Sequence, residues 1–348
     1  MNSLYISGRE ISYVRNTVFS RALSDLYNTE IIFKNSNSHI LRIISNYLAI
    51  LKLKKSYDFV IIGFYGNPYL FLNKYFKSNI IFDSFVSTFD TLCFDRNLFS
   101  PNSLLGKLAF RLDKYSLEKA NHIIVDTNEN LSFYNSTFLI PKEKMTRIFV
   151  STDENLFFPM KHKKPQKEIF FYGTMQRLHG VDVILRAANL LAKETDYKFV
   201  IIGDGKTLKE STNIIGKSNL DNVIFLPPIP YKELPDRIAN SAICLGGPFG
   251  STDKAKRVIT GKTFQFMAMG KPIIVGNTNA NKELLLNRFD AQFCDLNNAE
   301  LLASSLLELI NNPDYMDFLG KNALDTYQQK ASYIYIKNSF QKIIQKFA

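Results

Sequence analysis

Short apolar runs alternate along the whole chain with longer segments of helical periodicity, and this alternation is the feature that most constrains the fold. Six such runs precede residue 151: LYIS at 4–7, EIIF at 30–33, DFVIIG at 58–63, NIIF at 79–82, HIIVD at 122–126 and RIFV at 147–150. Near-continuous apolar runs are typical of parallel strands buried on both faces, and each spacing leaves room for a crossover helix. The pattern predicts a doubly wound, Rossmann-like α/β domain.

The same rhythm restarts after residues 151–167, a polar and basic stretch interrupted by prolines, which we interpret as an inter-domain linker. Six further strand-like runs follow: EIFFYG, KFVIIGDG, NVIFLP, AICLG, PIIVG and AQFC. A chain of 348 residues also exceeds the size at which single cores usually stop growing. We therefore predict two Rossmann-like domains, 1–157 and 158–330, that face each other across a ligand-binding cleft.

The chain is strongly basic, which predicts a polyanionic partner. It has 43 Lys and Arg against 32 Asp and Glu, a net charge of +11. Nucleic acid, anionic lipid and phosphorylated ligands all suit such a charge. Because no nucleic-acid-binding module is recognisable, we expect no nucleic-acid partner.

Residues 39–55, HILRIISNYLAILKLKK, place apolar side chains at helical spacing and end in lysines. Two interpretations stay open: an ordinary crossover helix packed on the sheet, or a basic amphipathic helix that docks on an anionic membrane surface. No segment predicts a secretion signal or a spanning helix. We expect a cytoplasmic protein, peripheral on the inner face of the cell membrane if the second interpretation holds.

Several common catalytic and cofactor motifs are absent from the sequence. There is no G-x-G-x-x-G after a strand, no G-x-x-x-x-G-K-[ST], no G-x-S-x-G and no H-E-x-x-H. The three cysteines are far apart, which argues against a disulfide framework or a zinc site. No Asp-x-Asp pair is present to hold a divalent ion against a diphosphate. We therefore expect no cofactor and no metal, and a phosphorylated ligand neutralised by protein cations and helix termini.

Three strand-to-helix junctions in the second half could bind such a ligand, at residues 170–191, 201–208 and 261–270. Glycines at these turns permit close approach of a ligand to backbone N–H groups. Lys254, Lys256, Arg257 and Lys262 crowd the third junction, where a short helix is expected to begin at Gly261. We predict that this helix end and these cations converge on one anion.

These segments resemble the family 4 retaining glycosyltransferases of the GT-B fold. KFVIIGDG looks like the family's L-x-I-V-G-D-G strand, and TFQFMAMGKPIIV resembles its L-E-A-M-A-x-G-K-P-V-V segment. Between them, DNVIFLPPIPYKELPDRIANSAICLG resembles its V-x-F-L-G, E-L-P, A-D-V block. The resemblance is specific over residues 168–286 and looser over residues 1–157.

The sequence departs from the family pattern at several functional positions. The family's two glutamates stand eight residues apart, and Arg257 and Gln265 occupy those positions here. The diphosphate clamp G-R-L-x-x-x-K-G becomes GTMQRLHG, with Thr174 for the arginine and His179 for the lysine. We hypothesise that Arg257 and Lys262 replace the two missing cations. On the acceptor side, the family's His-Asp pair becomes Phe82 beside Asp83.

The resemblance implies a retaining, metal-independent transfer of a sugar from a nucleotide diphosphate sugar, with UDP favoured, to a hydroxyl of a glycan or lipid-linked glycan. This would serve the synthesis of cell-surface polysaccharide or glycoconjugate. By the same resemblance, 1–157 is the acceptor-side domain, 158–330 binds the donor, and helix 331–348 packs back on the first domain. The expected catalytic residues are Arg257, Lys262 and Asp83. The expected donor-binding residues are Gly173, Thr174, His179, Gly203, Asp204, Gly205, Leu226, Pro227, Gly261, Thr263 and Gln265, and those on the acceptor side are Gly8, Arg9 and Arg15.

Two other functions stay open. A nucleotide-sugar 2-epimerase would share the fold and the donor, but it needs acid and base carboxylates that the sequence does not clearly show. A non-catalytic subunit that binds sugar nucleotides would account for the loss of both family glutamates.

Overall fold

The computed structural model describes residues 1–34, 36, 38–160, 165–215 and 220–347. The chain divides into two compact units. The first unit comprises residues 1–153 together with 333–348, and the second comprises residues 154–332. Residues 161–164 of the expected linker 151–167 lie outside the described residues, and strand β7 begins at Gln166, inside the predicted linker. In the described part of the chain, no helix is long and apolar enough to cross a membrane.

The first unit is built on a six-stranded sheet in the order β2-β1-β3-β4-β5-β6, with every neighbouring pair parallel. Its strands are β1 Asn2–Ile6, β2 Asn28–Ile32, β3 Phe59–Ile62, β4 Asn79–Asp83, β5 His122–Val125 and β6 Met145–Arg147. Five of them coincide closely with the predicted runs. The sixth prediction is wrong in its bounds, because the strand precedes most of the run 147–150. The apolar residues of that run are buried, and the N–H of Ile148 donates a 2.8 Å hydrogen bond to Val125 at the end of β5.

Helices cover both faces of this sheet. They are α1 Val14–Leu26, α2 His39–Leu51, α3 Asn73–Phe76, α4 Thr88–Asp90, α5 Leu104–Lys119, α6 Asn128–Phe138 and, from the chain's end, α15 Tyr333–Ile344. A 3₁₀ helix, Asn67–Leu72, precedes α3, and a π-helix, Thr91–Asp95, follows α4. Alternate strand residues point to opposite faces of the sheet, so each face has its own hydrophobic core. Helices α2 to α6 pack on one face, and α1 and α15 pack on the other.

Helix α15 packs on α1 within the first unit. The rings of Phe340 and Phe19 meet edge to face with their centroids 4.7 Å apart. At the helix start, the Tyr333 hydroxyl donates a 2.6 Å hydrogen bond to Asp25. These contacts attach the end of the chain to the unit in which the chain begins.

The second unit repeats the architecture with a parallel sheet in the order β12-β11-β10-β7-β8-β9. Its strands are β7 Gln166–Gly173, β8 Lys198–Gly203, β9 Val223–Leu226, β10 Ser241–Gly247, β11 Ile273–Gly276 and β12 Gln292–Cys294. Its helices are α7 Val181–Leu191, α8 Lys206–Ile215, α9 Leu234–Asn240, α10 Asp253–Arg257, α11 Gly261–Ala268, α12 Asn279–Lys282, α13 Ala299–Ile310 and α14 Pro313–Lys330. All six strands lie where the apolar runs predict them.

Candidate nucleotide-sugar site

Two glycine turns lie side by side at the carboxyl ends of β7 and β8. Gly173 and Gly203 form the last pair of the two strands. Gly203 has a φ of +135°, and a Cβ there would lie 2.0 Å from the carbonyl oxygen of Gly173. A Cβ on Gly205 would lie 2.7 Å from the carbonyl oxygen of Thr174. Both glycines are therefore required by the close approach of the two turns, whatever ligand the turns bind.

His179 closes the first turn and is held as a neutral ring. Its Nδ1 accepts a 3.2 Å hydrogen bond from the backbone N–H of Gln176, which leaves the ring hydrogen on Nε2. Burial, reinforced by the nearby charge of Lys262, holds the pKa of the imidazole well below its ordinary value. His179 therefore cannot supply the charge of the family's lysine, although it can donate a hydrogen bond.

Helix α11 begins beside this turn with an uncapped first turn. Thr260 stands at the N-cap, but its hydroxyl donates a 2.6 Å hydrogen bond to the carbonyl oxygen of Gly246 and does not cap the helix. The hydroxyls of Thr260 and Thr263 lie 3.1 Å apart. The first N–H groups of a helix carry partial positive charge, so this end suits an anion.

Lys262 lies in the first turn of α11 and packs against the strand that leads into the first glycine turn. Only 6 % of the residue is exposed, and Nζ lies 5.0 Å from the ring centroid of Phe171, on β7. Burial lowers its pKa to about 7. No hydrogen bond or ion pair among the described residues involves its Nζ. A buried amine of this kind gains most from an anionic ligand, because the anion offsets the cost of burying the charge.

Gln265 lies one turn further along α11 and joins two tyrosines. Its Oε1 accepts a hydrogen bond from the Tyr172 hydroxyl, and its Nε2 donates one of 2.9 Å to the Tyr231 hydroxyl. Both tyrosines line a cavity of about 250 Å³ together with Gly173, Thr174, Gly203 and Asp204. Sequence reasoning missed the two tyrosines, although Tyr172 directly precedes the first glycine turn.

Of the other residues predicted for the donor, Asp204 lines the cavity, and Leu226 and Pro227 directly precede part of its wall in the chain. Asp204 turns back and accepts a 2.7 Å hydrogen bond from the N–H of Gly205. Leu226 ends β9, and the cavity wall includes Pro228 and Ile229, which follow Leu226 and Pro227 in the chain. Arg257 is the last residue of α10, a short helix that begins at Asp253. Three of the four cations predicted near the start of α11 therefore lie on a helix of their own, α10.

The acceptor-side predictions meet a different environment in the first unit. A Cβ on Gly8 would lie 2.2 Å from the carbonyl carbon of Tyr65, so this glycine permits a close backbone contact. Arg9 is partly exposed, pairs with Glu10 at 2.9 Å, and lies over the ring of Tyr13.

Arg15 and Asp83 form a buried ion pair at the end of β4, which corrects the expectation that they face an acceptor. Their side chains are fully buried and joined by hydrogen bonds of 2.7 to 3.0 Å. The guanidinium lies between the rings of Phe19 and Phe85, at 4.3 and 4.9 Å. It also donates a 3.2 Å hydrogen bond to the carbonyl oxygen of Ile148. Neither side chain is accessible, so the pair holds β4, α1 and the segment after β6 together.

No group of three or more His, Cys, Asp or Glu side chains that could hold a metal ion occurs within the described ranges. The second unit instead brings together a buried amine, a helix N-terminus, a neutral histidine and two glycine turns. This arrangement can bind a phosphorylated ligand through charge and backbone N–H groups.

Sequence comparison relates the second unit to glycosyltransferases. Residues 166–312 match the family model described as Glycosyl transferases group 1. An uncharacterized glycosyltransferase of Methanocaldococcus jannaschii is 28 % identical over 152 residues, which are 44 % of this chain and 40 % of that protein. One of Haemophilus influenzae is 27 % identical over 206 residues, 57 % of this chain and 50 % of that protein. The chain thus matches half or less of the length of these curated relatives.

Solved structures share the fold over the whole chain. Sucrose-phosphate synthase from Thermosynechococcus elongatus superimposes with a TM-score of 0.77 at 12 % identity, covering 99 % of both chains. Anabaena HepE in complex with UDP gives a TM-score of 0.73 at 11 % identity, covering 99 % of this chain and all of that one. HepE has also been solved with UDP-glucose. The chain therefore has the GT-B fold of glycosyltransferases, and its residues 166–312 are similar in sequence to the group 1 glycosyl transferases.

Proposed function

We propose that the protein is a glycosyltransferase that moves a sugar from a nucleotide diphosphate sugar to a hydroxyl of a glycan or lipid-linked glycan. The observation that carries the proposal is the buried Lys262 at the uncapped start of α11, beside the glycine turns of β7 and β8. The match to group 1 glycosyl transferases spans this whole site. The complexes of HepE with UDP and UDP-glucose support UDP as the nucleotide.

In the proposed reaction, the bond between the anomeric carbon and the diphosphate oxygen breaks, and its electron pair leaves with the diphosphate. The acceptor oxygen bonds to that carbon, and the acceptor proton passes to the departing diphosphate. Negative charge develops on the departing diphosphate. Lys262, Arg257 and the first N–H groups of α11 stabilise that charge, and the neutral His179 donates a hydrogen bond from Nε2. Retention of anomeric configuration and independence of metal ions belong to this proposal through the family resemblance.

Gln265 is proposed to contact the ribose of the donor from the position of the family's second glutamate. An amide can accept from one hydroxyl of a diol and donate to the other, but it carries no charge. Tyr172 and Tyr231 fix the orientation of this amide. We propose the first unit as the acceptor side, without a direct contact from Arg15 or Asp83.

A thermal-shift panel of UDP-, GDP-, ADP- and CMP-sugars tests the donor. We expect UDP-sugars to raise the melting temperature most, because a ligand at ~100 times its Kd stabilises the folded state by about 2.7 kcal/mol. The Lys262→Met variant is the matched control and should lose most of the shift. A panel without any nucleotide-dependent stabilisation would refute the proposal.

Transfer assays with a labelled donor then separate the three functions. Glycosyl transfer needs an acceptor, whereas an epimerase would convert the donor sugar when no acceptor is present. A non-catalytic subunit would bind the nucleotide and perform neither reaction.

A further inference from the structure

Helix α2 carries its apolar side chains on the outside of the first unit. Ile40, Ile44, Leu48 and Leu51 follow one another at spacings of three or four residues and are 70 %, 49 %, 54 % and 50 % exposed. The spacing places them on one face of the helix. The outward face of a surface helix is usually polar, whereas the outward face of α2 is apolar.

The inner face of α2 is polar at two buried positions that fix its rotation. Arg42 is 2 % exposed and donates a 2.8 Å hydrogen bond to the carboxylate of Glu10. Asn46 is fully buried and donates to the carbonyl oxygen of Ser7 at 3.1 Å and to the hydroxyl of Tyr69 at 2.8 Å. Rotating the helix to bury its apolar face would break these bonds and leave buried polar groups without partners.

An apolar groove lies on other elements that cover the same face of the sheet as α2. Phe71, half exposed, stacks on Tyr115 of α5 with ring centroids 4.7 Å apart, and Leu105 and Leu108 form another wall. The groove has a volume of about 740 Å³. Its elements share one face of the sheet with α2, and the Tyr75 hydroxyl links α3 to the end of α2 through a 2.9 Å hydrogen bond to the carbonyl oxygen of Leu51.

Exposed cations border this apolar surface. Lys52, Lys54 and Lys55 follow α2, and Lys55 lies 3.8 Å from Glu30. Arg111 and Lys114 line the groove together with one acid, Glu118. Exposed apolar side chains bordered by cations are the combination that favours the interface of an anionic bilayer. A symmetric contact with a second copy of this chain would instead bring together two identical patches that both carry a positive charge.

We propose that the outer face of α2 and the groove beside α5 dock on a bilayer that contains anionic phospholipid. The residues Ile40, Ile44, Leu48 and Leu51 enter the boundary between headgroups and acyl chains, and the groove accepts a lipid chain. The lysines contact the headgroup phosphates. This surface lies outside the nucleotide-sugar site, so the proposal does not depend on glycosyl transfer.

The absence of tryptophan from the sequence makes insertion directly measurable. A Leu48→Trp variant carries a single reporter on the outer face of α2. A matched Leu190→Trp variant carries one on α7 of the second unit, where Leu190 is 48 % exposed. With vesicles of phosphatidylcholine and phosphatidylglycerol, we expect a blue shift and quenching by brominated lipid for Leu48→Trp only. Equal responses from both variants, or none from either, would overturn the proposal.

Vesicle flotation tests the two contributions separately. Ile44→Ser with Leu48→Ser should weaken binding at least about tenfold, because two apolar side chains no longer leave water. Lys52→Gln and Lys54→Gln should each weaken binding about fivefold, the effect of about 1 kcal/mol per cation. Leu190→Ser should bind like the parent protein, and high salt should weaken all binding to the anionic vesicles.

Two results would contradict the proposal: one would show that a second copy of the chain binds this surface, and the other that the lysines do not contribute to membrane binding. If Ile44→Ser with Leu48→Ser converts a dimer of the free protein into a monomer and no variant binds vesicles, the surface is a contact between copies. Equal binding to pure phosphatidylcholine vesicles would contradict the role of the lysines. Urea denaturation of each variant separates loss of docking from loss of folding.

Discussion

Lys262 combines burial, a lowered pKa and a position at the start of a helix, so its substitution should affect chemistry more than stability. We expect Lys262→Ala to raise the barrier to transfer by about 2–4 kcal/mol, as when one preorganised stabilising group is removed. Arg257→Ala should have an effect of similar size, and Lys254→Ala should have little. Steady-state kinetics measure the change in kcat/KM. Full activity in Lys262→Ala would exclude a role for this amine on the diphosphate.

The lowered pKa of Lys262 predicts a pH dependence of donor binding. An anionic ligand favours the charged amine, so above pH 7 binding must be accompanied by proton uptake. The affinity for UDP should therefore fall by up to about tenfold per pH unit between pH 7 and pH 8.5. Lys262→Arg keeps its charge in this range and should show a flatter profile. Titration calorimetry across this range measures both profiles, and parallel curves would contradict the assignment.

The buried pair of Arg15 and Asp83 should matter for folding. Arg15→Ala leaves the carboxylate of Asp83 buried without its partner and should lower the free energy of unfolding by about 3–5 kcal/mol. The double variant Arg15→Met with Asp83→Leu removes both charges and should lose much less. Urea denaturation at neutral pH compares the two. A small loss in Arg15→Ala would show that Asp83 reaches solvent.

At the scale of elements, the strands followed from the sequence because a strand buried on both faces is apolar along its length. The exception is β6, where the apolar run 147–150 is buried mostly beyond the strand. For α2, periodicity identified the helix but not its buried face, which depends on the contact of Arg42 with a glutamate 32 residues away. The bond between Tyr172 and Gln265 spans 93 residues and has no local signal.

Helix α15 should be necessary for the stability of the first unit, because it covers one face of the sheet together with α1. Phe340→Ala removes a fully buried ring that meets Phe19 edge to face. We expect the free energy of unfolding to fall by about 3–5 kcal/mol. Ile334→Ala is a matched control, because Ile334 lies on the same helix and is 67 % exposed. Comparable losses in the two variants would argue against packing of this helix.

The molecule consists of two Rossmann-like units, each built on a six-stranded parallel sheet. The two units differ in how their buried charged side chains are paired. In the first unit the buried charges of Arg15 and Asp83 neutralise each other, and the buried carboxyls of Asp113 and Asp126 are hydrogen-bonded to neutral side chains. The exposed apolar face of α2 and the lysines after it lie on the outside of this unit. In the second unit a buried amine stands without an acidic partner among the described hydrogen bonds and ion pairs. This contrast agrees with a ligand-binding role for the second unit and a surface-binding role for the first.

The titration of Lys262 should be visible in the stability of the ligand-free protein. Its pKa is about 7 in the folded state, below the ordinary value of 10.5, so between these values the unfolded chain binds more protons than the folded one. The free energy of unfolding therefore rises with pH from about 7, by about 2 kcal/mol up to pH 8.5. Above that, burial raises the pKa of Cys93, Cys244 and Cys294, and the folded state then binds more protons, which opposes the rise.

Urea denaturation at closely spaced pH values, for the parent and for Lys262→Met, measures this dependence. The variant lacks this amine, so its stability should rise less with pH between pH 7 and pH 8.5 and should be higher than that of the parent at pH 7. Saturating UDP should abolish this slope in the parent, because the bound protein keeps the amine charged, as the unfolded chain does. Parallel profiles for the two proteins would mean that Lys262 is already solvated in the free state, and the argument from its burial to its role on the diphosphate would fail.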